Sequence, residues 1–111
     1  MIENNYATPE DLKALFVPTP TPPDWQARFN ENTAGNEPTV APLLVMQGLQ
    51  DTVINPNGTT QYVQRACGFD QPVQYSLYPT ATHQTVPLQA KPEYVPWIAD
   101  RFAGRPAPSN C

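Results

Sequence analysis

Proline constrains the fold of this chain more than any other residue type. Fifteen of its 111 residues are prolines, about three times the average usage of about 5%. Because proline lacks a backbone N–H and restricts φ, it interrupts helix interiors and central strands. We therefore expect short helices, much loop and a small core, since a chain of this length buries only a modest fraction of its unfolded surface.

The sequence changes character at about residue 40. Before that point, Thr8-Pro9 is typical of a helix start, and Pro18 to Pro23 predicts an extended surface segment. Asp24 predicts the cap of a second short helix. We interpret residues 1–40 as a remnant of a cap or lid, and we expect residues 41–111 to form an α/β module.

Two strand-like runs flank a helix-like segment in the second part. Leu43 to Gly48 is apolar without alternation, which predicts a strand buried on both faces, as in a parallel sheet. Thr59 to Cys67 has helical spacing of apolar residues, and Gly68 predicts the end of that helix. Val73 to Tyr78 alternates, as a more one-sided strand does. This order at short spacing predicts a βαβ unit with parallel strands.

A final helix is predicted from about Glu93 to Ala103. Pro92 and Pro96 would lie in its first turn, and Gly104 would end it. The apolar residues expected to face inward are Tyr94, Trp97, Ile98 and Phe102. The predicted fold class is therefore α/β, a small parallel sheet of one βαβ unit with flanking helices.

Charge and composition argue against several classes of function. A net charge of −4, with six Lys and Arg and no basic run, argues against nucleic acid as a partner. No stretch approaches the roughly 20 apolar residues of a membrane span, and Met1 to Asn5 lacks the pattern of a signal peptide. Cys67, Cys111 and His83 are too few for a structural zinc site. We expect neither a metal nor another cofactor.

The two cysteines have two interpretations. They are either unrelated thiols or a disulfide that ties the C-terminal residue, Cys111, to the predicted helix that contains Cys67. A cysteine as the final residue has no packing role, which favours the disulfide and with it an oxidising compartment.

An acid and a base follow the two predicted strands. Asp51 comes just after the first, and His83, the only histidine, comes just after the second. Parallel strands place their carboxyl ends at one edge, where ligands bind. There the aspartate would accept a hydrogen bond from Nδ1 and leave Nε2 as a general base. Each residue also has a simpler interpretation, Asp51 as a turn residue and His83 as a solvated loop residue.

A nucleophile to complete a hydrolytic triad is not recognisable. Ser76 lies in a predicted strand and Ser109 in the tail, so neither occupies a Gly-x-Ser-x-Gly turn. Neither cysteine lies in the kind of turn that presents a catalytic nucleophile.

These motifs resemble those of a known family. Ala41 to Asp51, together with Tyr78 to His83, resembles the last two strands of an α/β-hydrolase. More narrowly, residues 24 to 111 are similar to the C-terminal part of the secreted lipases and esterases related to fungal secretory lipase. The segments that carry this similarity are Glu31-Asn32-Thr33-Ala34-Gly35, Arg65-Ala66-Cys67 and Trp97 to Gly104, with Cys111 at the end.

The resemblance implies the C-terminal portion of an α/β-hydrolase fold and hydrolysis of carboxylic esters. It assigns Asp51 as the triad acid and His83 as the base, with Cys67 bridged to Cys111. It also implies a small ester or lipid substrate and a secreted protein. Family members are longer, and their nucleophile and oxyanion hole lie in an N-terminal part that has no counterpart here. Thr82 stands where the family usually has glycine.

Three hypotheses about function follow. In the first, the chain is a miniature or truncated ester hydrolase in which His83 and Asp51 activate water, or in which another chain supplies the nucleophile. In the second, it is an inert hydrolase fragment that joins a second copy or a complementary fragment through the edge of Leu43 to Gln47. In the third, Trp25, Trp97 and the tyrosines bind a small molecule, although core packing is the favoured explanation of these aromatic residues.

Overall fold

A computed structural model describes residues 23–111 of the chain. Two units are distinguished, with the boundary between Asn32 and Thr33. The helix predicted from Thr8 and the proline-rich segment before Pro23 lie outside the described residues. The boundary predicted at residue 40 and the cap interpretation of residues 1–40 stay predictions.

Helix α1, Pro23–Glu31, is the described element of the first unit. It confirms the second short helix, but it begins at Pro23, so Asp24 lies in its first turn rather than before it. Proline suits a first turn, and a carboxylate there is favourable because it faces the positive end of the helix dipole. Trp25 and Phe29 lie one turn apart, with ring centroids 5.9 Å from each other.

The second unit is built on a strand, a helix and a strand. Strand β1 spans Leu43–Gly48, helix α2 spans Pro56–Cys67, and strand β2 spans Val73–Tyr78. The strands pair in parallel over six residue pairs. The predicted βαβ unit is confirmed, and within the described residues the sheet has two strands.

The core lies between the sheet and α2. Val63, Ala66 and Val73 are buried at its centre. Partly buried side chains pack against them, namely Leu43, Val45, Tyr62, Cys67 and Tyr75. The strand members of this set alternate along β1 and β2, as residues on one face of a sheet do. The core is small, as the chain length predicts.

Strand β1 is not buried on both faces, although its uniform apolar sequence predicts that. Gln47 and Gly48 are buried, but Leu43 to Met46 are only partly covered. One face meets α2, and the other borders an open groove. That groove is lined by Pro42, Leu43, Leu44, Met46, Tyr94, Trp97 and Ile98. The prediction fails because Tyr94, Trp97 and Ile98, which lie across this groove, leave that face of β1 only partly covered.

Helix α2 begins earlier than predicted but ends at the predicted residue. The helix begins at Pro56 rather than Thr59, because Asn55 caps it by accepting a hydrogen bond from the Asn57 N–H at 3.0 Å. At the other end, the helix stops at Cys67 and Gly68 caps it, as predicted, with Gly68 at φ −64°. The left-handed residue is Asp70, with φ 56°. Aspartate tolerates this conformation better than most residues.

Two helices follow β2. Helix α3, Val86–Gln89, was not predicted, and helix α4 spans Lys91–Phe102. Because α4 begins before Glu93, Pro92 lies in its first turn, as predicted, but Pro96 lies inside the helix. Pro96 has no N–H to donate to the carbonyl four residues earlier.

The inward face predicted for α4 is only partly correct. Tyr94 and Trp97 are half-buried, whereas Ile98 is 45% exposed and Phe102 is 90% exposed. The Arg101 guanidinium lies 4.8 Å from the centre of the Trp97 ring, a cation–π contact. The helical period identified one apolar face correctly, but no described element covers the end of that face at Phe102.

The C-terminal tail closes the outer edge of β2. The Asn110 side chain accepts from the Tyr75 N–H at 2.8 Å and donates to the Tyr75 carbonyl at 2.9 Å. The Asn110 N–H donates to the Val73 carbonyl at 2.9 Å. Cys111 forms a disulfide with Cys67, with Cα atoms 5.4 Å apart, so the predicted disulfide is confirmed. The tail thus takes the place of a third strand on this edge.

Candidate acid–base site

Asp51 and His83 meet beyond the carboxyl ends of the two strands. Asp51 lies in the loop after β1 and His83 in the loop after β2. Although the residues are 32 positions apart in sequence, His83 Nδ1 lies 3.0 Å from Asp51 Oδ2. The structure therefore brings together the acid and the base that the sequence predicts.

Backbone hydrogen bonds hold the two loops side by side. The Leu49 N–H donates to the Tyr78 carbonyl at 3.0 Å, and the Gln50 N–H donates to the Ala81 carbonyl at 2.9 Å. Gly48 permits this approach, because a Cβ at that position would lie 2.4 Å from the Ala81 carbonyl oxygen. Glycine at the end of β1 therefore allows the close contact between the loops that carry Asp51 and His83.

The two carboxylate oxygens of Asp51 have different partners. Oδ1 accepts from the N–H groups of Val53 and Ile54, both at 2.8 Å. Such bonds from an aspartate to the backbone just ahead of it stabilise a turn. Oδ2 faces His83 Nδ1 and the Gln47 side-chain amide. Asp51 is thus a turn residue and the partner of the histidine at the same time, so its two interpretations are compatible.

The Asp51 carboxylate is buried but remains ionised. Its side chain is only 4% exposed, and burial raises its pKa. Hydrogen bonds from the Ile54 N–H, from His83 and from the Val53 N–H, together with the charge of His83, outweigh burial and lower the pKa from 3.8 to about 2. A charged carboxylate in this position can orient an imidazole and stabilise its protonated form.

His83 combines an anchored nitrogen with an accessible ring. Its side chain is 45% exposed, while Nδ1 is directed at Asp51. No residue in the described range 23–111 forms a hydrogen bond with Nε2. Because Nδ1 carries the proton when it donates to a carboxylate, Nε2 then carries the free lone pair. Nε2 is therefore the atom that can take a proton from water or from a hydroxyl group.

Two threonines stabilise the loop that carries the histidine. The Thr82 N–H donates to Thr85 Oγ1 at 2.8 Å, and the Thr85 N–H donates to Thr82 Oγ1 at 3.3 Å. Each threonine side chain thus accepts from the backbone N–H of the other, as the two side chains of a capping box do. Thr82, a departure from the glycine of the resembling family, thus contributes its hydroxyl to the loop. The Thr-x-x-Thr spacing was a signal that the sequence interpretation did not use.

Gln47 is a site residue that the sequence interpretation missed. It is 4% exposed, and its Nε2 lies 3.4 Å from Asp51 Oδ2. Its Oε1 accepts a hydrogen bond from Thr59 Oγ1 at 2.6 Å. The signal available was a polar residue at the end of an otherwise apolar strand.

The serines and cysteines have partners away from His83. Ser76 Oγ donates to the Glu93 carboxylate, and Ser109 Oγ bonds to the backbone of Val73 at the amino end of β2. Both cysteines are in the disulfide. Within the described part of the chain, His83 therefore has an acid partner but no serine or thiol to activate.

Glu93 also binds the hydroxyl of Tyr78. Burial, followed by the hydrogen bond to Glu93 and the negative charge of Glu93, raises the pKa of Tyr78 from 10.0 to about 12. These contacts connect the first turn of α4 to β2, so the role of Glu93 is structural.

Residues 23–111 contain neither a metal-binding cluster nor a helix that could span a membrane. No group of three or more His, Cys, Asp or Glu side chains is arranged there to hold a metal ion. In the same residues no helix has both the length and the apolar character to cross a membrane.

Comparison with known proteins finds no relative. No protein-family model matches this chain, and neither a curated protein nor a solved structure is significantly similar to it. The resemblance to secretory lipases therefore stays a prediction. The described part of the chain is a small α/β unit whose parallel strands bring an acid and a base together at their carboxyl ends.

Proposed function

We propose that this chain carries the acid and base of a carboxylic ester hydrolase. The observation that supports this most is the 3.0 Å contact between His83 Nδ1 and the buried Asp51 carboxylate, on a ring that is 45% exposed. The resemblance of the flanking motifs to secretory lipases and esterases suggests the reaction class.

The proposed reaction uses His83 twice. Nε2 takes a proton from a water molecule, and the oxygen attacks the ester carbonyl carbon. When the bond to the alcohol oxygen breaks, the imidazolium returns the proton to the leaving alkoxide, so that the products are a carboxylic acid and an alcohol. Asp51 stabilises the imidazolium between these steps. A hydroxyl group supplied by another chain could replace water as the nucleophile.

We expect turnover by this chain alone to be slow. General-base catalysis contributes roughly 10²- to 10⁴-fold in rate. A preorganised oxyanion donor contributes about another 10²- to 10³-fold, and in the resembling family that element lies in the N-terminal part. Partner-dependent activity is therefore part of this proposal.

The proposal is tested with short-chain p-nitrophenyl esters and purified protein. Because any accessible imidazole attacks these activated esters, the wild-type rate must exceed that of free imidazole at equal concentration. We expect His83→Ala to lower the rate at least about 10²-fold. We expect Asp51→Asn, which keeps the imidazole but removes the acid, to lower it almost as far.

Gln84→Ala is the matched control, because Gln84 is the exposed neighbour of His83 in the same loop. Its rate should equal that of wild type. Equal rates for wild type and Asp51→Asn would contradict the acid–base pair, even if His83→Ala were inactive.

The disulfide supports a further part of the proposal. Disulfides persist in oxidising environments, so the Cys67–Cys111 bridge favours a secreted protein. The substrate class that we propose, a small ester or lipid, comes from the motif resemblance.

Within residues 23–111 no strand pairs with the outer edge of β1, and this edge favours a second candidate function, that of an oligomerising or complementing module. The Leu43 N–H donates to the Pro72 carbonyl, and the Leu49 N–H donates to the Tyr78 carbonyl. Since alternate residues of a parallel pair face the partner strand, the backbone groups of the intervening Leu44 and Met46 point away from β2. The second edge of the sheet is closed by the tail, so β1 offers the edge through which a strand can join.

Light scattering tests this second candidate. Leu44→Pro removes the outward N–H without removing a bond to β2, because the Leu44 N–H points away from β2. Proline is tolerated at such a position of an edge strand. We expect an oligomer of the wild type to dissociate in Leu44→Pro and to persist in Leu44→Val, which keeps the N–H. A wild-type monomer at high concentration would contradict self-association through this edge.

A further inference from the structure

Gln47 and Thr59 form a polar chain behind the acid–base pair. We propose that Gln47 is a positioning residue that holds Asp51 Oδ2 in place for His83, and that Thr59 fixes the orientation of Gln47. The geometric part of this proposal is independent of the chemistry, and its catalytic consequence rests on the proposed function above.

Both polar atoms of the Gln47 side chain have partners within the protein. One N–H of Nε2 donates to the Gly48 carbonyl at 2.9 Å, and the other is directed at Asp51 Oδ2 at 3.4 Å. Oε1 accepts from Thr59 Oγ1 at 2.6 Å. A side-chain amide that is 4% exposed must satisfy these groups inside the protein, because an unpaired buried polar group is costly.

The surrounding groups permit one orientation of the amide. If the amide were flipped, Oε1 would face the Gly48 carbonyl oxygen and the Asp51 carboxylate, and acceptor would meet acceptor. In the observed orientation the Thr59 hydroxyl donates to Oε1. Thr59 lies in α2 and Gln47 in β1, so two packed elements of the βαβ unit hold the amide that faces the acid.

The amide acts on the oxygen that the histidine uses. Asp51 Oδ1 is held by two backbone N–H groups of its own turn, whereas Oδ2 has Gln47 and His83 as its partners. Without the Gln47 donor, only the histidine would hold Oδ2. We therefore expect the preference of His83 for a protonated Nδ1 to depend on Gln47, since a hydrogen bond at one ring nitrogen selects the tautomer.

The nitrogen chemical shifts of the His83 ring measure this preference directly. His83 is the only histidine in the chain, so its signals need no assignment. At a pH where the ring is neutral, wild type should show a protonated Nδ1 and an unprotonated Nε2. In Gln47→Met, which keeps the length of the side chain but has no donor, we expect this single tautomer to be lost and a mixture of both to appear.

Three further variants separate positioning from simple stability. Gln47→Glu keeps the length and polarity but places an acceptor towards Asp51, so the single tautomer should again be lost. Thr59→Val should shift the tautomer populations less than Gln47→Met does. Gln50→Met is the matched control, because the Gln50 amide donates to the Pro79 carbonyl rather than to Asp51, and its spectrum should equal that of wild type.

A folded Gln47→Met protein with the wild-type tautomer would overturn the proposal. If Gln47→Met does not fold, Gln47→Glu and Thr59→Val decide, and wild-type spectra in both would overturn it. Wild-type protein that shows the Nδ1-protonated tautomer but hydrolyses no ester would refute ester hydrolysis by this chain alone and leave the role of Gln47 intact. If esters are hydrolysed, Gln47→Met should lower kcat with little change in KM.

Discussion

The disulfide between Cys67 and Cys111 permits a quantitative test of how this small fold is stabilised. Its sequence separation is 44, and the loop-closure entropy of a loop of that size corresponds to about 4 kcal/mol. Domains are typically stable by about 5–15 kcal/mol in total. Replacing both cysteines by alanine, which leaves no free thiol, should therefore lower the free energy of unfolding by about 4 kcal/mol.

Urea unfolding followed by tryptophan fluorescence measures this loss. With a urea dependence of about 1–2 kcal/mol per molar, the midpoint should fall by about 2–4 M. Wild type in the presence of a reducing agent should unfold like the double alanine variant. A double variant within about 1 kcal/mol of the oxidised wild type would refute the loop-closure reasoning.

The contribution of the tail's hydrogen bonds to stability must be measured apart from that of the disulfide, because Cys111 is next to Asn110, the residue that pairs with β2. Asn110→Ala keeps the disulfide but deletes the two side-chain hydrogen bonds to Tyr75. We expect a loss of about 1–2 kcal/mol. A loss as large as that of the double alanine variant would show that edge pairing, rather than loop closure, stabilises the tail.

Three further results are expected. Because folding lowers the pKa of Asp51 from 3.8 to about 2, the stability that this group contributes is present above pH 3.8 and lost as the pH falls towards 2; urea unfolding at stepped pH should show a shallower acid loss for Asp51→Asn. Folding raises the pKa of Tyr78 from 10.0 to about 12, so its contribution to stability is complete below pH 10 and lost as the pH rises through 12, and Tyr78→Phe should remove a tyrosinate absorbance that appears near pH 12. Gly48→Ala should lower the free energy of unfolding by about 1–3 kcal/mol, because its Cβ meets the Ala81 carbonyl. Gly58→Ala, whose Cβ meets open space, should not destabilise the protein, and equal urea midpoints for the two alanine variants would contradict the close approach at Gly48.

The sequence predicted the features whose signals are local. The apolar run at β1, the alternation at β2 and the helical spacing between them identified the βαβ unit, because each pattern follows from the backbone geometry of its own segment. Because parallel strands end at the same edge of a sheet, the βαβ prediction also placed Asp51 and His83 together. Asn55-Pro56 was an equally local helix start, and starting α2 at Thr59 overlooked it.

Local sequence patterns could not predict whether other elements cover a given face of a helix or strand. The periodicity of α4 predicted that Phe102 faces inward, yet Phe102 is 90% exposed. A helical period shows which residues share a face of one helix, but it does not show whether another element packs on that face. Likewise, the apolar sequence of β1 predicted burial on two faces, and only the tertiary structure shows that one face borders a groove.

The sequence by itself determined the order of strands and helices and the two strand ends that carry an acid and a base. Tertiary structure decided that His83 Nδ1 lies 3.0 Å from Asp51, that Gln47 is directed at the same carboxylate and that Asn110 closes the edge of β2. These contacts join residues of different segments. Their distances depend on how closely the strands, α2 and the tail pack. The approach of the loops that carry Asp51 and His83 also requires that Gly48 have no side chain.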